Sequence, residues 1–187
     1  MIPGERLYLR AWEQSDVAAF YRWFNDPEVS LYLGNAYPAW SLEQEQRIYD
    51  QPREHAQRYA IVLKEGDVLI GNCDLHGIDQ KNRSADVGIV IGDQRYWNQG
   101  YGREALGLLL EIGFDGLGLE RIALLHLDLN ERGHRCYLAA GFKVEGRLRH
   151  ANYIRGAYHD DILMSILADE YRARQRPHSA GGAPHVG

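Results

Sequence analysis

The chain has 187 residues, of which 45% are hydrophobic and 25% are charged, and its formal net charge is −5. These proportions indicate one globular domain with a substantial core, and the negative charge argues against general nucleic-acid binding. No apolar run approaches the roughly 18 residues that span a membrane, and the first residues lack the pattern of a signal peptide, so we expect a cytoplasmic protein. Two cysteines and eight scattered histidines show no metal-ligand spacing, so we expect no metal site.

The first third of the chain predicts one strand and two helices. Residues 6–11 are predicted as a short strand. Ser15 is placed to cap a helix whose apolar side chains recur at helical spacing until an Asp-Pro pair ends it. Residues 28–40 look irregular. A capping box over 41–44 begins the second helix, which Pro52 ends.

The rest of the chain alternates strands with two helices. Apolar and β-branched runs predict six further strands, over 59–63, 68–78, 84–91, 121–129, 142–148 and 161–167. Residues 102–117 predict a buried helix, and 131–140 predict a short one that a glycine ends. The order β-α-α-β-β-β-α-β-α-β-β indicates one mixed α/β (α+β) domain over 1–171. The composition from 172 to 187 predicts a flexible C-terminal tail.

The most informative stretch is 89–105, which is predicted as a strand, a glycine-bearing turn and the start of a helix. Backbone N–H groups at the start of a helix are unpaired, and the helix dipole adds partial positive charge, so such a turn suits phosphate. Gly100 and Gly102 let a ligand approach the backbone closely. A glycine turn of this kind also occurs for purely structural reasons, so it does not define a function alone.

Three segments together resemble the GCN5-related N-acetyltransferases (GNAT), and the resemblance spans roughly residues 5–170. Residues 97–105, Trp-Asn-Gln-Gly-Tyr-Gly-Arg-Glu-Ala, are similar to the family's pyrophosphate loop, Q/R-x-x-G-x-G/A. Residues 130–142 are similar to its N-x-x-A-x-x-x-Y-x-x-x-G-F segment. Residues 160–167 resemble the closing strand of its ribosomal-protein N-terminal (Rim-type) branch. Two departures are Trp97, where Gln or Arg is usual, and Gly133, where Ala is common.

The resemblance implies a single mixed, mostly antiparallel sheet with splayed central strands and helices on both faces. It also implies acetyl-CoA as the donor, with its pantetheine arm between strands 87–91 and 122–129. The residues that would bind acetyl-CoA are Val90, Ile91, Trp97, Asn98, Gln99, Gly100, Tyr101, Gly102, Arg103, Asn130 and Arg135. A nucleotide site is the less favoured interpretation, because the chain has neither G-x-G-x-x-G nor G-K-[ST].

The resemblance also assigns catalytic roles. Tyr137 would be the general acid that gives a proton to the leaving thiolate. Asp86, acting through water, is the best candidate for the general base, and four further candidates are Asp74, His76, His126 and Asp128. Asn130 would bind pantetheine, cap a helix, or both. A covalent mechanism at Cys136 is not favoured, because no His-Asp pair supports it.

The amine acceptor is less well defined by the sequence. The resemblance implies that the segment 13–54, with Tyr32, Tyr37 and Trp40, and the region 153–161 build the acceptor cleft. The segment 13–54 carries eight acids against three bases, so such a cleft would suit a cation. The main prediction is a protein N-terminus or a small cationic amine. The alternatives are a polyamine or an aminoglycoside as acceptor, or a non-catalytic acyl-CoA-binding module. The sequence does not define the oligomeric state, although dimers are common in the family, so a homodimer is left open.

Overall fold

The computed structural model of the chain describes residues 1–34, 37–51 and 56–175. Within them, eight strands form one sheet in the order β1-β2-β3-β4-β5-β6-β8-β7. The strands are β1 (Ile2–Pro3), β2 (Leu7–Ala11), β3 (Ala56–Leu63), β4 (Val68–Asp79), β5 (Ser84–Ile91), β6 (Arg121–Leu127), β7 (Lys143–Ile154) and β8 (Ala157–Leu167). The α-helices are α1 (Val17–Phe24), α2 (Pro27–Leu31), α3 (Leu42–Asp50), α4 (Tyr101–Glu111), α5 (Glu131–Ala140) and α6 (Ala168–Gln175). In this described part, no helix is long and apolar enough to cross a membrane.

The sheet is mostly antiparallel, and its one parallel pair separates along its length. Strands β5 and β6 are paired only from Ser84 with Arg121 to Asp86 with Ala123. All other neighbouring strands are antiparallel. Beyond Asp86 the two central strands diverge, so the predicted splayed, mostly antiparallel sheet is confirmed. The gap exposes backbone and side chains of β5 in the middle of the sheet.

Two clusters of buried side chains hold helices to the two faces of the sheet. In the larger cluster, Leu106 and Leu109 of α4 are buried with Ile122 of β6. In the smaller one, Trp12 and Phe20 of α1 lie with their ring centroids 4.9 Å apart, and Ile48 of α3 packs against them. Alternate residues of β2 enter the two clusters, so the clusters lie on opposite faces. Each large apolar side chain buried in this way contributes roughly 1.5–3 kcal/mol.

Several predicted elements occur where the sequence placed them. Strand 84–91 and helix 131–140 have the predicted bounds. The predicted capping box is present, because Ser41 Oγ accepts a hydrogen bond from Gln44 N at 3.1 Å and Gln44 Oε1 accepts one from Ser41 N at 2.7 Å. Pro52, predicted to end that helix, lies outside the described residues.

The prediction of irregular structure over residues 28–40 was wrong at its start, because α2 covers residues 28–31, and residues 35–36 lie outside the described part of the chain. The Asp-Pro pair that ends α1 also begins α2: Asp26 Oδ1 accepts a hydrogen bond from Glu28 N at 2.8 Å, and Pro27 occupies the first helical position. The prediction of Ser15 as the cap of α1 was also wrong. A short 3₁₀ turn precedes α1, and the side chain of Asp16 closes it by accepting from Glu13 N at 2.8 Å.

The helix after the turn and the C-terminal elements also differ from the prediction. The α-helical part of 102–117 ends at Glu111 and continues as a π-helical turn, in which Leu117 N donates to Ile112 O at 2.8 Å. Strand β7 runs to Ile154, six residues further than predicted, because it forms a long hairpin with β8.

The last helix, α6, reaches Gln175, so ordered structure extends into the segment predicted as a tail from 172. Tyr171 is buried, and its hydroxyl lies 3.0 Å from Asp115 Oδ2. Arg174 Nη2 donates to Ala139 O at 2.8 Å. These contacts attach the helix to the domain. Residues 176–187 lie outside the described part of the chain.

Candidate active site

The turn between β5 and α4 presents unpaired backbone amides. Asn98 and Gly100 adopt left-handed conformations, with φ of 59° and 85°, which Asn and Gly tolerate best. The first intrahelical bond of α4 runs from Glu104 N to Gly100 O at 3.1 Å. The amides of residues 101–103 precede it and have no partner within the helix. This geometry is the kind that binds anions at helix N-termini, and the predicted phosphate site at this turn stays a prediction.

The same turn is tied to β2 by a pair of charged residues that sequence reasoning missed. Glu104 Oε1 accepts from the backbone N of Arg6 at 2.7 Å and of Leu7 at 3.2 Å, and its Oε2 accepts from Arg6 Nε at 3.0 Å. Arg6 Nη1 also donates to Gln99 O at 2.9 Å. Fixing the turn in advance lowers the entropy that a ligand must overcome on binding.

Trp97 is held in a fixed orientation at the edge of the turn. Its Nε1 donates to Ile91 O at 2.6 Å, and its ring makes an edge contact with Tyr32 at 6.1 Å between centroids. The guanidinium of Arg132 lies over the Trp97 ring, 3.6 Å from the centroid. Arg132, another residue that sequence reasoning did not single out, is half-buried, and burial lowers its pKa.

A cavity of about 320 Å³, here the loop cavity, lies between this turn and α5. Nine of the eleven residues predicted to bind acetyl-CoA line it, namely Ile91, Trp97, Asn98, Gly100, Tyr101, Gly102, Arg103, Asn130 and Arg135. The other two do not. Val90 lines a neighbouring cavity, and the side chain of Gln99 is turned away because it donates to Arg95 O at 2.6 Å.

Gly102 leaves space in the loop cavity that the protein itself does not require. A Cβ at this position would meet only Ile91 Cγ1 at 3.7 Å and Cys136 Sγ at 3.9 Å, which are ordinary contacts. Gly100 differs, because its positive φ disfavours any side chain. The bare backbone at Gly102 therefore matters for whatever occupies the cavity.

Helix α5 begins with a cap that explains one departure from the family pattern. Asn130 Oδ1 accepts from Gly133 N at 2.8 Å, so the helix-cap interpretation of Asn130 is correct. A Cβ at Gly133 would lie 2.5 Å from Asn130 Nδ2. Glycine is needed here because the Asn130 side chain folds over the first turn. Asn130 also lines both cavities of the site.

A second cavity of about 620 Å³, here the large cavity, adjoins the loop cavity. Helices α1, α2 and α3 form one wall, and β4, β5 and the start of α5 form the other. The two cavities share six lining residues, Ile89, Ile91, Trp97, Asn130, Arg132 and Tyr137. The large cavity opens where β5 and β6 have parted, so a ligand in the loop cavity can meet a second ligand there.

Tyr137 lies at the junction of the two cavities. It is 9% exposed, and its ring centroid is 5.5 Å from that of His126 and 6.2 Å from that of Phe142. Burial raises the pKa of Tyr137 to about 12. The phenol is thus protonated at neutral pH and can donate a hydrogen bond to a ligand at the junction.

Asp86 lies outside both cavities, which removes the geometric basis for choosing it as the base. It is exposed and forms the last paired position of β5 with β6, at the closed end of the gap. Asp74, opposite Gly88 in β4, lines the large cavity instead. Its Oδ1 accepts from Gly88 N at 3.2 Å and lies 2.7 Å from His76 Nδ1. This contact raises the pKa of His76, which is half-exposed.

The other two predicted base candidates occupy different environments. His126 lines the large cavity, with Nδ1 2.8 Å from Leu127 O and Nε2 3.0 Å from His134 Nδ1. Burial lowers the pKa of His126, so it is neutral at neutral pH. Asp128 lies outside both cavities and pairs with Arg147 at 3.1 Å.

Cys136 lines the loop cavity, and burial raises the pKa of its thiol. A protonated thiol is a poor nucleophile. This environment favours direct transfer over an acetyl-cysteine intermediate.

The large cavity also contains an acid that sequence reasoning passed over. Glu45 is 1% exposed, and burial without a compensating partner raises its pKa to about 7. It precedes the partly buried Ile48 and Tyr49 by three and four positions, so it lies on the apolar face of α3. An acid at that position of an amphipathic helix was the signal that could have identified it.

Comparisons with known proteins identify the family of this chain. The model of the Acetyltransferase (GNAT) domain family matches residues 6–143. The chain is 34% identical to the uncharacterized N-acetyltransferase p20 of Bacillus licheniformis, over 89% of this chain and 96% of that protein. It is 30% identical to the spermidine N(1)-acetyltransferase of Escherichia coli strain K12, over 93% of this chain and 88% of that protein.

A solved structure supports the same family. The crystal structure of spermidine N-acetyltransferase from Vibrio cholerae in complex with CoA and spermine matches with a TM-score of 0.83 and 27% identity, covering 89% of this chain and 98% of that one. The chain therefore belongs to the GNAT acetyltransferase family. It is an acetyl-CoA-dependent N-acetyltransferase, so the predicted family, enzyme class and donor are confirmed.

Proposed function

We propose that this enzyme transfers the acetyl group of acetyl-CoA directly to a primary amine of a polyamine bound in the large cavity. The observation that carries the proposal is the composition of that cavity. Two carboxyl groups, those of Glu45 and Asp74, line it together with aromatic walls that include Trp12 and Trp40. Carboxylates attract ammonium groups, and aromatic faces attract cations and bury methylene chains.

The similarity to spermidine acetyltransferases supports a polyamine over the other acceptors. A protein N-terminus was part of the main prediction from sequence, and a polyamine was an alternative. The relatives favour that alternative. An aminoglycoside acceptor and a homodimer have no comparable support and stay predictions.

In the proposed reaction, acetyl-CoA lies in the loop cavity with its diphosphate on the amides of residues 101–103. Its thioester reaches the junction, where Tyr137 lies. The neutral amine attacks the thioester carbonyl carbon, the C–S bond breaks, and CoA leaves as a thiolate, which finally takes up the proton that the acylated nitrogen releases. Tyr137 donates a hydrogen bond to that sulfur. Because its pKa of about 12 exceeds that of an ordinary thiol, hydrogen bonding rather than complete proton transfer stabilises the leaving group.

The amine must lose its proton before it attacks, since a free alkylamine has a pKa near 10. Asp74 replaces Asp86 as the proposed proton acceptor, because Asp74 lines the cavity in which the amine binds. The contact from Asp74 to His76, which is half-exposed, supplies a route for the proton to solvent. Arg132 at the junction favours the neutral amine there, because like charges repel.

The test is a thiol-release assay with acetyl-CoA and a panel of acceptors: spermidine, spermine, 1,4-diaminobutane, a peptide with a free N-terminus and an aminoglycoside. We expect the polyamines to give the highest kcat/KM. A higher value for the peptide or the aminoglycoside would overturn the choice of acceptor. Release with no acceptor, despite binding of acetyl-CoA, would favour the non-catalytic binding module.

A further inference from the structure

The large cavity concentrates buried polar atoms that have no protein partner. Among the described residues, five buried side-chain polar atoms lack a hydrogen bond. Four belong to residues that line this one cavity: Trp12 Nε1, Ser30 Oγ, Glu45 Oε2 and Asn72 Nδ2. Folded proteins pair nearly all such atoms, so a cluster around one cavity indicates that a polar ligand completes their hydrogen bonding.

Glu45 dominates this cluster because it alone can carry a charge. Among the described residues, the two bases that are nearest to it along the sequence are engaged elsewhere. Arg47 pairs with the exposed Glu43 at 2.8 Å. Arg58 donates from Nη1 to Ile48 O at 2.7 Å and from Nη2 to Gln51 at 3.3 Å. A buried carboxyl group without a cation must stay protonated or receive a cationic ligand.

The position of Glu45 separates it from the reacting end of the cavity. Ser30, Glu45 and Asn72 line the large cavity but not the loop cavity. Tyr137 and Arg132 line both. The amine that is acetylated must lie at the junction to reach the thioester, so a group at Glu45 belongs to another part of the acceptor. Arg132 reinforces this division, because its charge disfavours an ammonium group at the junction.

We infer that Glu45, assisted by Ser30 Oγ, is an ammonium-binding subsite that selects acceptors with two amine groups. The remote ammonium donates hydrogen bonds to Glu45 Oε2 and Ser30 Oγ, while the other amine lies at the junction and is acetylated. This inference rests on the proposed function, since it assumes that the large cavity holds the acceptor. It assigns Glu45 as a specificity-determining residue that does not contact the reacting atoms.

The experiment compares a diamine with a monoamine of the same length. The kcat/KM values for 1,4-diaminobutane and butylamine are measured for the wild type, Glu45→Gln and Glu43→Gln. Glu43→Gln is the matched control, because it makes the same change on the exposed face of the same helix. We expect Glu45→Gln to raise the KM for 1,4-diaminobutane about tenfold to a hundredfold and to leave butylamine unchanged. Ser30→Ala should also lower the kcat/KM for 1,4-diaminobutane relative to that for butylamine, but by a smaller factor.

The outcomes are distinguishable. If Glu45→Gln keeps the wild-type preference for the diamine, or lowers kcat equally for both amines, the subsite is refuted. If the wild type acetylates no amine, the proposed function fails, and binding then decides the inference. Spermidine should raise the melting temperature of the wild type and of Glu43→Gln but not of Glu45→Gln, and an equal rise in all three would overturn it. The shift with acetyl-CoA, equal in all three, verifies that each variant is folded.

Discussion

The guanidinium carbon of Arg132 lies 3.6 Å from the centroid of the Trp97 ring. Trp97 stands where the family usually has Gln or Arg, and a second ring, that of Tyr32, lies 5.1 Å from the same guanidinium. Arg132 forms no ion pair among the described residues, whereas Arg135 pairs with Glu131 at 3.4 Å. The cation that the turn lacks at position 97 is thus supplied by α5, at the junction of the two cavities.

Replacement of Arg132 should weaken acetyl-CoA binding more than replacement of Arg135. We expect Arg132→Gln to raise the Kd about tenfold, because a half-buried, fixed guanidinium loses a charge-assisted contact with an anionic ligand. Arg135→Gln should change it by about threefold or less, because Arg135 is exposed and already paired. Calorimetric titration with CoA at two salt concentrations measures the Kd of both variants. Equal effects would argue against a special role for the stacked arginine.

Gly102→Ala should increase stability and reduce acetyl-CoA affinity at the same time. Alanine is favoured over glycine in a helix by up to about 1 kcal/mol, and no protein atom obstructs the new Cβ. The methyl group would instead occupy the loop cavity against the ligand. The control is Gly107→Ala in the same helix, where a Cβ would meet nothing within 4 Å.

Thermal unfolding with and without acetyl-CoA measures both effects of these glycine variants. Gly107→Ala should raise the melting temperature without altering the shift that acetyl-CoA causes. A Gly102→Ala enzyme with wild-type affinity would show that the ligand does not approach the backbone at this position.

Local signals made the turn and α5 predictable from sequence. The positive φ at Gly100 and the cap at Asn130 are encoded within a few residues of the positions they affect. The large cavity could not be predicted in this way, because its walls come from helices and strands far apart in the chain. Glu45 resembles any surface acid until the rotation of α3 about its axis is known.

The prediction of Asp86 as the general base shows a second limit of what the sequence can predict. Asp74 and Asp86 lie on neighbouring strands and on one face of the sheet, as their pairing with Gly88 and His76 indicates. Which of them lies beside the cavity depends on where β5 and β6 part. That point is set by three-dimensional pairing and has no signature in the sequence of either strand.

Tyr137→Phe should reduce kcat about a hundredfold and leave the Kd of acetyl-CoA almost unchanged. The phenylalanine ring preserves the packing against His126 and Phe142 but cannot donate to the leaving sulfur. Single-turnover thiol release and CoA titration separate the two quantities. Cys136→Ala should retain near wild-type kcat, and a large loss there would instead favour a covalent intermediate.

Asp74→Asn should reduce kcat/KM about a hundredfold, whereas Asp86→Asn should stay close to the wild type. Asp74 lies in the cavity in which the amine is bound, and Asp86 does not. The pH–rate profile should also change for Asp74→Asn, because His76 loses the partner that raises its pKa. If the two variants behave in the opposite way, a water chain ending at Asp86 is the better description of the base.

Glu45 should make the free enzyme less stable as pH rises. Its pKa is about 7 in the folded protein and 4.5 in a model peptide, so between these values the folded state holds a proton that the unfolded state has lost. Stability therefore falls as pH increases through this window, by about 3 kcal/mol at most. Glu45→Gln removes the effect, so its advantage in the free energy of unfolding should grow from about pH 5 to about pH 8.

Urea unfolding across that range measures the difference between the variants. Asp74, His126 and Arg132 of the same cavity and Arg58 beside α3 are present in both proteins, so the comparison isolates the contribution of Glu45. Glu43→Gln should show no such trend, because Glu43 is exposed. A saturating diamine should reduce the advantage of Glu45→Gln, because an ammonium group bound at Glu45 stabilises the ionised carboxylate that the variant lacks. A constant advantage at all pH values would mean that Glu45 does not titrate in this window.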